Sequence, residues 1–169
     1  VSATKPVFDA LDAAGVAANA AGSPSPVSIL TTHKHMDHCA GNSAVLKKFP
    51  GTEVYGGRID NVKECTKPLD DGDVFQVGEL DVAVYHAPAH PSGHVLYHVH
   101  HKADKANGAV FTGDVIFVAG LGAFFEGNAK QFVGSAKKFA SLPGPTAVYC
   151  GHEYTMNFMK YAAEVEPTN

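Results

Sequence analysis

Cysteine is scarce in this chain of 169 residues, which contains only Cys39, Cys65 and Cys150. The number is odd, and no two of them form a Cys-x-x-Cys pair. A disulfide framework would need more cysteines in a paired pattern. The cysteine usage therefore favours a reducing compartment.

Long hydrophobic runs and dense basic runs are also missing. The longest strongly apolar stretch without charge, Val115 to Phe125, is too short and too interrupted by glycine to span a bilayer. The formal net charge is -4, and no lysine or arginine cluster stands out. We therefore expect neither nucleic acid nor a membrane as the main partner.

Length and composition predict one globular domain that covers residues 1–169. Apolar residues make up 45% of the chain and charged residues 18%, an ordinary balance for a protein with a real core. A chain of 169 residues is too short for two full domains. It starts at Val1 and enters a helical pattern at once, so we expect it to be a piece of a longer protein.

Histidine is the unusual feature of the composition. Nine of the ten histidines lie in two short stretches, 33–38 and 86–101, and the tenth is His152. A site built from several loops would produce such clustering.

The stretch 31–38, Thr-Thr-His-Lys-His-Met-Asp-His, carries the strongest chemical signal. His33 and His35 are two residues apart, so on an extended or loop backbone their imidazoles can converge on one cation. Asp37 and His38 follow directly and can face a second cation. Imidazole and carboxylate ligands suit zinc, iron and related ions. The spacing therefore predicts two adjacent metals rather than one closed structural site.

Hydrophobic periodicity and turn residues predict alternating helices and short strands. The residues of the helix near Asn128 that share an apolar face are Phe132, Val133, Ala136, Phe139 and Ala140. The predicted helices cover 5–14 and 41–49, with two more beginning near Asn128 and Thr155. The predicted strands cover 27–30, 53–55, 73–77, 80–85, 94–100, 109–112 and 146–149, joined by connectors that include 17–26 and 102–108.

Three more metal-competent residues follow predicted strands. His90 lies in a loop fixed by prolines and glycine, Asp114 follows Gly113, and His152 follows Gly151. Strand ends on a rigid sheet are common places for functional loops. Alone, each signal is weak, since an aspartate after glycine is often a turn residue.

The remaining histidines have ordinary interpretations. The alternation of residues 94–100 predicts a half-exposed strand. Its polar face, with the neighbouring loops, would leave His86, His98, His100 and His101 solvated, whereas His94 could contact a metal ligand. Cys39, next to His38, is interpreted as a small buried residue rather than a ligand.

Taken together, the ordered motifs resemble the signature of the metallo-β-lactamase fold and, within it, glyoxalase II, the hydroxyacylglutathione hydrolases. The resemblance covers almost the whole chain and implies an α/β fold, the αββα sandwich, here without the family's first strands and C-terminal helical domain. The segments that carry it are 30–38, 111–120, 124–127 and 148–155, followed by the tail 165–169.

The resemblance also implies a ligand set and an activity. A hydroxide held by two metals would hydrolyse S-(2-hydroxyacyl)glutathione thioesters, such as lactoylglutathione, in methylglyoxal detoxification. Asp114 would bridge the metals, and Asp37 would share the catalytic role. The first metal would take His33, His35 and His90, and the second Asp37, His38 and His152.

Substrate contacts are less complete than the metal motif. The resemblance gives Phe125 and Tyr154 as glutathione contacts. Ala123 stands where the family usually has a basic residue, and Phe125 where it often has tyrosine. The resemblance implies a glutathione conjugate as the partner. The missing basic residue leaves a trypanothione conjugate as the alternative.

Several properties remain open at this level. Zinc is the expected metal, with iron or manganese as alternatives. We expect a monomer in the cytoplasm, or alternatively in the mitochondrion. Two other functions compete with the hydrolase: a persulfide dioxygenase with a single iron, and a metal-binding relative without catalytic activity.

Overall fold

The computed structural model describes residues 4–19 and 22–168, which contain five helices and ten strands. Positions 20 and 21 of the predicted connector, the chain start and Asn169 of the predicted tail lie outside the described residues. The helices are α1 (Lys5–Ala13), α2 (Met36–Cys39), α3 (Asn42–Lys48), α4 (Ala129–Ala140) and α5 (Thr155–Val165). The strands are β1 (Ser28–Leu30), β2 (Glu53–Gly57), β3 (Lys67–Leu69), β4 (Val74–Val77), β5 (Leu80–His86), β6 (Val95–His101), β7 (Asp104–Gly113), β8 (Ile116–Phe117), β9 (Gly120–Leu121) and β10 (Ala147–Cys150).

Two sheets carry the architecture. The smaller sheet is parallel, with the order β1-β2-β3, and the larger one has the order β10-β7-β6-β5-β4. In the larger sheet only the β10–β7 pair is parallel, because the other neighbours are joined as hairpins. Strands β8 and β9 form a separate short pair.

The alternation of β6 explains how the layers pack. Val95 and Tyr97 point into a cluster that also contains Tyr55 of β2, so this cluster joins the two sheets. Leu96, on the opposite face, belongs to a second cluster against which Phe132 of α4 packs. Successive side chains of a strand point to opposite faces, so one strand supplies both layers. The predicted mixed α/β sandwich is thereby confirmed.

Helix α4 begins where the sequence predicts. The Asn128 side chain accepts a hydrogen bond from the backbone N–H of Gln131, and the Gln131 side chain accepts one from the backbone N–H of Asn128. These two bonds form a capping box. The predicted apolar face is only partly correct, because Val133 is 50% exposed. The helix covers just one face of the sheet, and Val133 lies beyond that contact.

Strand β6 corrects the prediction of a half-exposed strand with solvated histidines. It lies at the centre of the larger sheet and is packed on both faces, so His98 is only 6% exposed. His86 and His100 are half-buried and His101 is exposed. Alternation alone cannot distinguish a polar face open to solvent from one that a second layer covers.

The strand boundaries show further differences. Strand β7 begins at Asp104, although residues 102–108 were predicted as a turn, because its backbone pairs with β6 while its side chains stay exposed. Strands β3, β8 and β9 and helix α2 were not predicted, since each has only two to four residues. Strand β1 is half-buried rather than buried, and among the described residues it pairs only with β2. No helix in the described ranges is long and apolar enough to cross a membrane.

Burial of His98 predicts a pH-dependent stability. Burial lowers the pKa of His98, and the nearby His100 lowers it further. Below a pH of about 6.5, His98 therefore binds a proton in the unfolded chain but not in the native state. The free energy of unfolding thus falls as the pH is lowered. In metal-free protein, His98→Leu should reduce the pH dependence of the unfolding free energy by up to about 1.4 kcal/mol per pH unit below pH 6.5. Denaturant unfolding between pH 5 and 7 measures this slope, and an unchanged slope would contradict the prediction.

Candidate metal centre

All seven predicted ligands converge at one end of the two sheets. Each follows the carboxyl end of a strand, so the loops that carry them meet at a common edge. His33 and His35 follow β1, Asp37 and His38 lie on α2, His90 lies between β5 and β6, Asp114 follows β7, and His152 follows β10. Their ligand atoms form three overlapping groups, each within 4.8 Å.

Three histidines form the first ligand group, His33, His35 and His90. Nδ1 of His35 lies 3.1 Å from Nε2 of His33 and 3.0 Å from Nε2 of His90. The three nitrogen atoms thus point at a common space, and the group combines residues from two separate loops.

The second ligand group consists of Asp37, His38 and His152. Nε2 of His38 lies 3.3 Å from Nε2 of His152, and the latter atom lies 3.2 Å from Oδ2 of Asp37. The group therefore joins the short helix α2 to the loop that follows β10.

Asp114 lies between the two ligand groups. Its Oδ1 is 3.3 Å from Nε2 of His38, and its Oδ2 is 3.2 Å from Nε2 of His152. On the other side, Oδ2 is 3.6 Å from Nε2 of His90. The carboxylate is therefore in contact with residues of both groups.

The arrangement fits metal ions better than it fits hydrogen bonding. Ligand atoms at about 2.0–2.1 Å from a tetrahedral zinc ion lie about 3.3 Å apart, close to the spacing between these nitrogen atoms. The nitrogens of the first group face one another, and neutral imidazoles offer too few protons to pair them all. Among the described residues, the buried Oδ1 of Asp114 also has no hydrogen-bond partner.

Hydrogen bonds outside the centre orient two of the histidines. Nδ1 of His90 donates to the carbonyl oxygen of Ala123 at 2.9 Å, which leaves Nε2 free for a metal. Nδ1 of His33 lies 3.2 Å from the hydroxyl of Thr32. Such partners fix the ring orientation and the tautomer of a metal-binding histidine.

Burial and charge set the protonation of the centre. Burial lowers the pKa of His33 to about 2, with His94 contributing next, so this imidazole stays neutral and able to bind a cation. Burial lowers the pKa of His38, but the carboxylate of Asp114, 3.3 Å away, raises it overall. Burial would raise the pKa of Asp114, yet His38 lowers it below its usual range. Asp114 therefore stays ionised at neutral pH.

His94 is a structural partner of the centre to which the sequence pattern gave no firm role. It is completely buried, and its Nε2 accepts a hydrogen bond from the backbone N–H of Asp114 at 3.2 Å. Its ring stacks on His33 with 4.9 Å between centroids. Gly113 allows this approach, because a Cβ there would lie 2.5 Å from Nε2 of His94 and φ is +49°. The glycine before Asp114 was the available sequence signal.

Cys39 behaves as predicted. It is 1% exposed, and its Sγ donates to the carbonyl oxygen of Lys34 at 3.1 Å. The thiol therefore packs beneath the loop that carries His33 and His35 and belongs to none of the ligand groups found among the described residues.

A cavity of about 370 Å³ opens beside the ligands. The Phe125 ring, 67% exposed, lies 5.0 Å from the ring of His90, and the Tyr154 ring stacks on His152 at 5.1 Å. Both predicted substrate contacts therefore lie beside the cavity, together with Leu121 and Phe158. No lysine or arginine is among the described residues that line it.

A two-sheet sandwich with a histidine and aspartate centre at the strand ends defines a class of metal-binding proteins. The family model described as the metallo-beta-lactamase superfamily matches residues 7–152, and the chain belongs to this superfamily.

Within the superfamily, the similar proteins narrow the comparison. The chain is 45% identical to a cytoplasmic hydroxyacylglutathione hydrolase of Arabidopsis thaliana over 96% of its length, and 38% identical to a hydroxyacylglutathione hydrolase of Synechocystis over 98%. It covers 64% and 62% of these relatives. The crystal structure of ETHE1 from Myxococcus xanthus matches with a TM-score of 0.64 and 30% identity, over 76% of this chain and 54% of that one. The resemblance to glyoxalase II is thereby confirmed.

Proposed function

We propose that the full-length protein hydrolyses S-(2-hydroxyacyl)glutathione-type thioesters, with lactoylglutathione as the type substrate, in methylglyoxal detoxification. The observation that carries the proposal is the pair of ligand groups joined by one buried carboxylate, Asp114. The identity of 45% to a hydroxyacylglutathione hydrolase supports the choice of substrate.

The proposed ligand assignment follows the distances. The first ligand group would hold one divalent metal and the second ligand group another, with Asp114 shared between them. Zinc is the favoured ion because imidazole and carboxylate ligands dominate, and iron or manganese are the alternatives. Two such metals would lower the pKa of a bound water so that it could act as the nucleophile, and they would polarise the thioester carbonyl.

The residues of the chain would prepare the site for this chemistry. Asp114 stays ionised because His38 holds its pKa down, and it would fix the separation of the two ligand groups. Asp37 places its Oδ2 3.2 Å from Nε2 of His152 and would be the outer carboxylate of the centre. Phe125 and Tyr154 would contact the thiol portion of the substrate. A thiolate is a good leaving group, so the site would not need a strong general acid to protonate it.

A direct assay tests the proposal. The full-length parent protein should release free thiol from lactoylglutathione, and elemental analysis of protein made without chelator should find close to two transition metals per chain. One iron per chain with oxygen consumption would favour the persulfide dioxygenase. Two metals without hydrolysis would favour a metal-binding relative that lacks activity.

The alanine at position 123 leads us to expect weak binding of the glutathione portion of the substrate. Ala123 lines the cavity, at a position where the resemblance to glyoxalase II implies a basic residue. Ala123→Lys in the full-length parent should lower the KM for lactoylglutathione by about two- to fivefold, because an exposed ion pair contributes only about 0–1 kcal/mol. The kcat should stay within about twofold, since a contact remote from the carbonyl stabilises ground and transition states equally. Steady-state kinetics with an Ala123→Gln control separates charge from size. A higher KM, with better use of a spermidine-bearing thioester by the wild type, would overturn the choice of glutathione.

We also propose the cytoplasm as the location and a monomer as the active form. The support for the location is the cytoplasmic relative of Arabidopsis thaliana. Cell fractionation and light scattering of the full-length protein test the two points separately.

A further inference from the structure

Asp60 is a buried carboxylate outside the ligand groups. It lies three residues beyond the end of β2 and is completely inaccessible to solvent. Its Oδ2 accepts a hydrogen bond from the backbone N–H of Lys34 at 2.5 Å. A buried acid is costly unless it is paired or bonded, so this position needs an explanation.

The contact at Lys34 reaches the first metal loop. Lys34 stands between His33 and His35, so one hydrogen bond fixes the peptide that joins two ligands of the first ligand group. The Lys34 side chain forms an ion pair with Glu126 at 2.7 Å, whereas the hydrogen bond to Asp60 comes from the Lys34 backbone. The carboxylate of Asp60 therefore acts on the backbone of this loop.

Asp60 also touches the loop that carries the third histidine. A Cβ built on Gly93 would lie 2.5 Å from both Cβ and the amide nitrogen of Asp60, so only glycine allows the two backbones to approach this closely. Burial raises the pKa of Asp60, and the backbone amides of Lys34 and Gly93 oppose that rise. Gly93 belongs to the same loop between β5 and β6 as His90.

We propose that Asp60 is a positioning residue that sets the metal affinity of the first ligand group by holding its two loops together. The inference rests on the proposed function, because it assumes that His33, His35 and His90 bind a metal. Groups that orient metal ligands typically change affinity by about 10- to 100-fold when they are removed.

The effect should be confined to the first ligand group. His38 of the second ligand group lies on α2, and its Nε2 faces Oδ1 of Asp114 at 3.3 Å. His152 follows β10, whose pairing with β7 places it next to Asp114. Neither contact involves Asp60.

The experiment is a titration of metal-free full-length protein with zinc, followed through the NMR signals of the histidine rings. Asp60→Ala should weaken zinc binding at the first ligand group by about 10- to 100-fold and leave the second within about threefold. Asp60→Asn has the same size and retains one acceptor for Lys34, so it should fall between wild type and Asp60→Ala and guards against misfolding of the alanine variant. Asp70→Asn, an exposed acid paired with Arg58, is the matched control and should titrate like wild type.

The outcomes separate this inference from the proposed function. The inference is supported if zinc affinity falls at the first ligand group alone, and if it falls further in Asp60→Ala than in Asp60→Asn. Unchanged affinity in both Asp60 variants, or equal loss at both groups, overturns it. Wild-type protein in which zinc shifts none of these histidine signals would contradict the proposed function and remove the basis of the inference.

Discussion

Asp114→Ala is expected to lower thioester hydrolysis by the full-length protein by about a thousandfold or more and to remove both metals. Asp114 contacts ligands of both groups, His38 and His152 on one side and His90 on the other. Metal polarisation supplies several kcal/mol of transition-state stabilisation, and each 1.4 kcal/mol is about tenfold in rate. Under the proposed function, losing both ions would therefore remove the nucleophile and the carbonyl activation together.

The comparison with a terminal ligand gives this prediction its sharpest test. His90→Ala removes one ligand of the first group and should leave the second group able to bind. Metal analysis and steady-state kinetics on both variants, prepared side by side, measure the difference. Equal residual hydrolysis in Asp114→Ala and His90→Ala would count against a shared carboxylate.

His35→Ala is the second change with a large expected effect, the loss of at least one metal per chain. Nδ1 of His35 lies 3.1 Å and 3.0 Å from the nitrogen atoms of His33 and His90, so it is the central member of the first ligand group. Without it, two histidines and the shared carboxylate of Asp114 remain for the first metal. The loss of the central nitrogen ligand should weaken binding enough for that metal to be lost. Hydrolysis should fall together with the metal content.

Elemental analysis after gel filtration measures this loss. His101→Ala, an exposed histidine far along β6 from the cavity, is the matched control and should keep the wild-type metal content. If His35→Ala retained both metals, His35 would be excluded from the centre.

The predicted elements show which sequence signals were reliable. Helix α4 begins after Asn128 and helix α5 at Thr155, close to the predicted starts. The hairpin of β4 and β5 also agrees closely. These elements depend on local patterns of several residues, which can be read directly from the sequence. The short strands β3, β8 and β9 escaped prediction because two or three residues carry no readable period.

Burial was the property that local pattern could not supply. His98 alternates with apolar neighbours like a solvent-facing residue, yet it is 6% exposed because β6 lies at the centre of the sheet. His94 is inaccessible for a related reason, since it lies between His33 and the backbone of Asp114. Both outcomes depend on what packs above the strand.

The amino-acid sequence by itself indicated His33, His35, Asp37 and His38 as candidate ligands, because side-chain chemistry and spacing are local properties. The resemblance to glyoxalase II added His90, Asp114 and His152 to that set. The sequence also determined that they follow strands, since the flanking glycines and apolar runs are local as well. Tertiary structure decided how close the ligands come, from the 3.0 Å between His35 and His90 to the position of Asp114 between the two groups. Only the fold brought Asp60 under Lys34, because that contact joins residues 26 positions apart. Contacts between distant segments follow from how the sheets pack, and no short stretch of sequence encodes them.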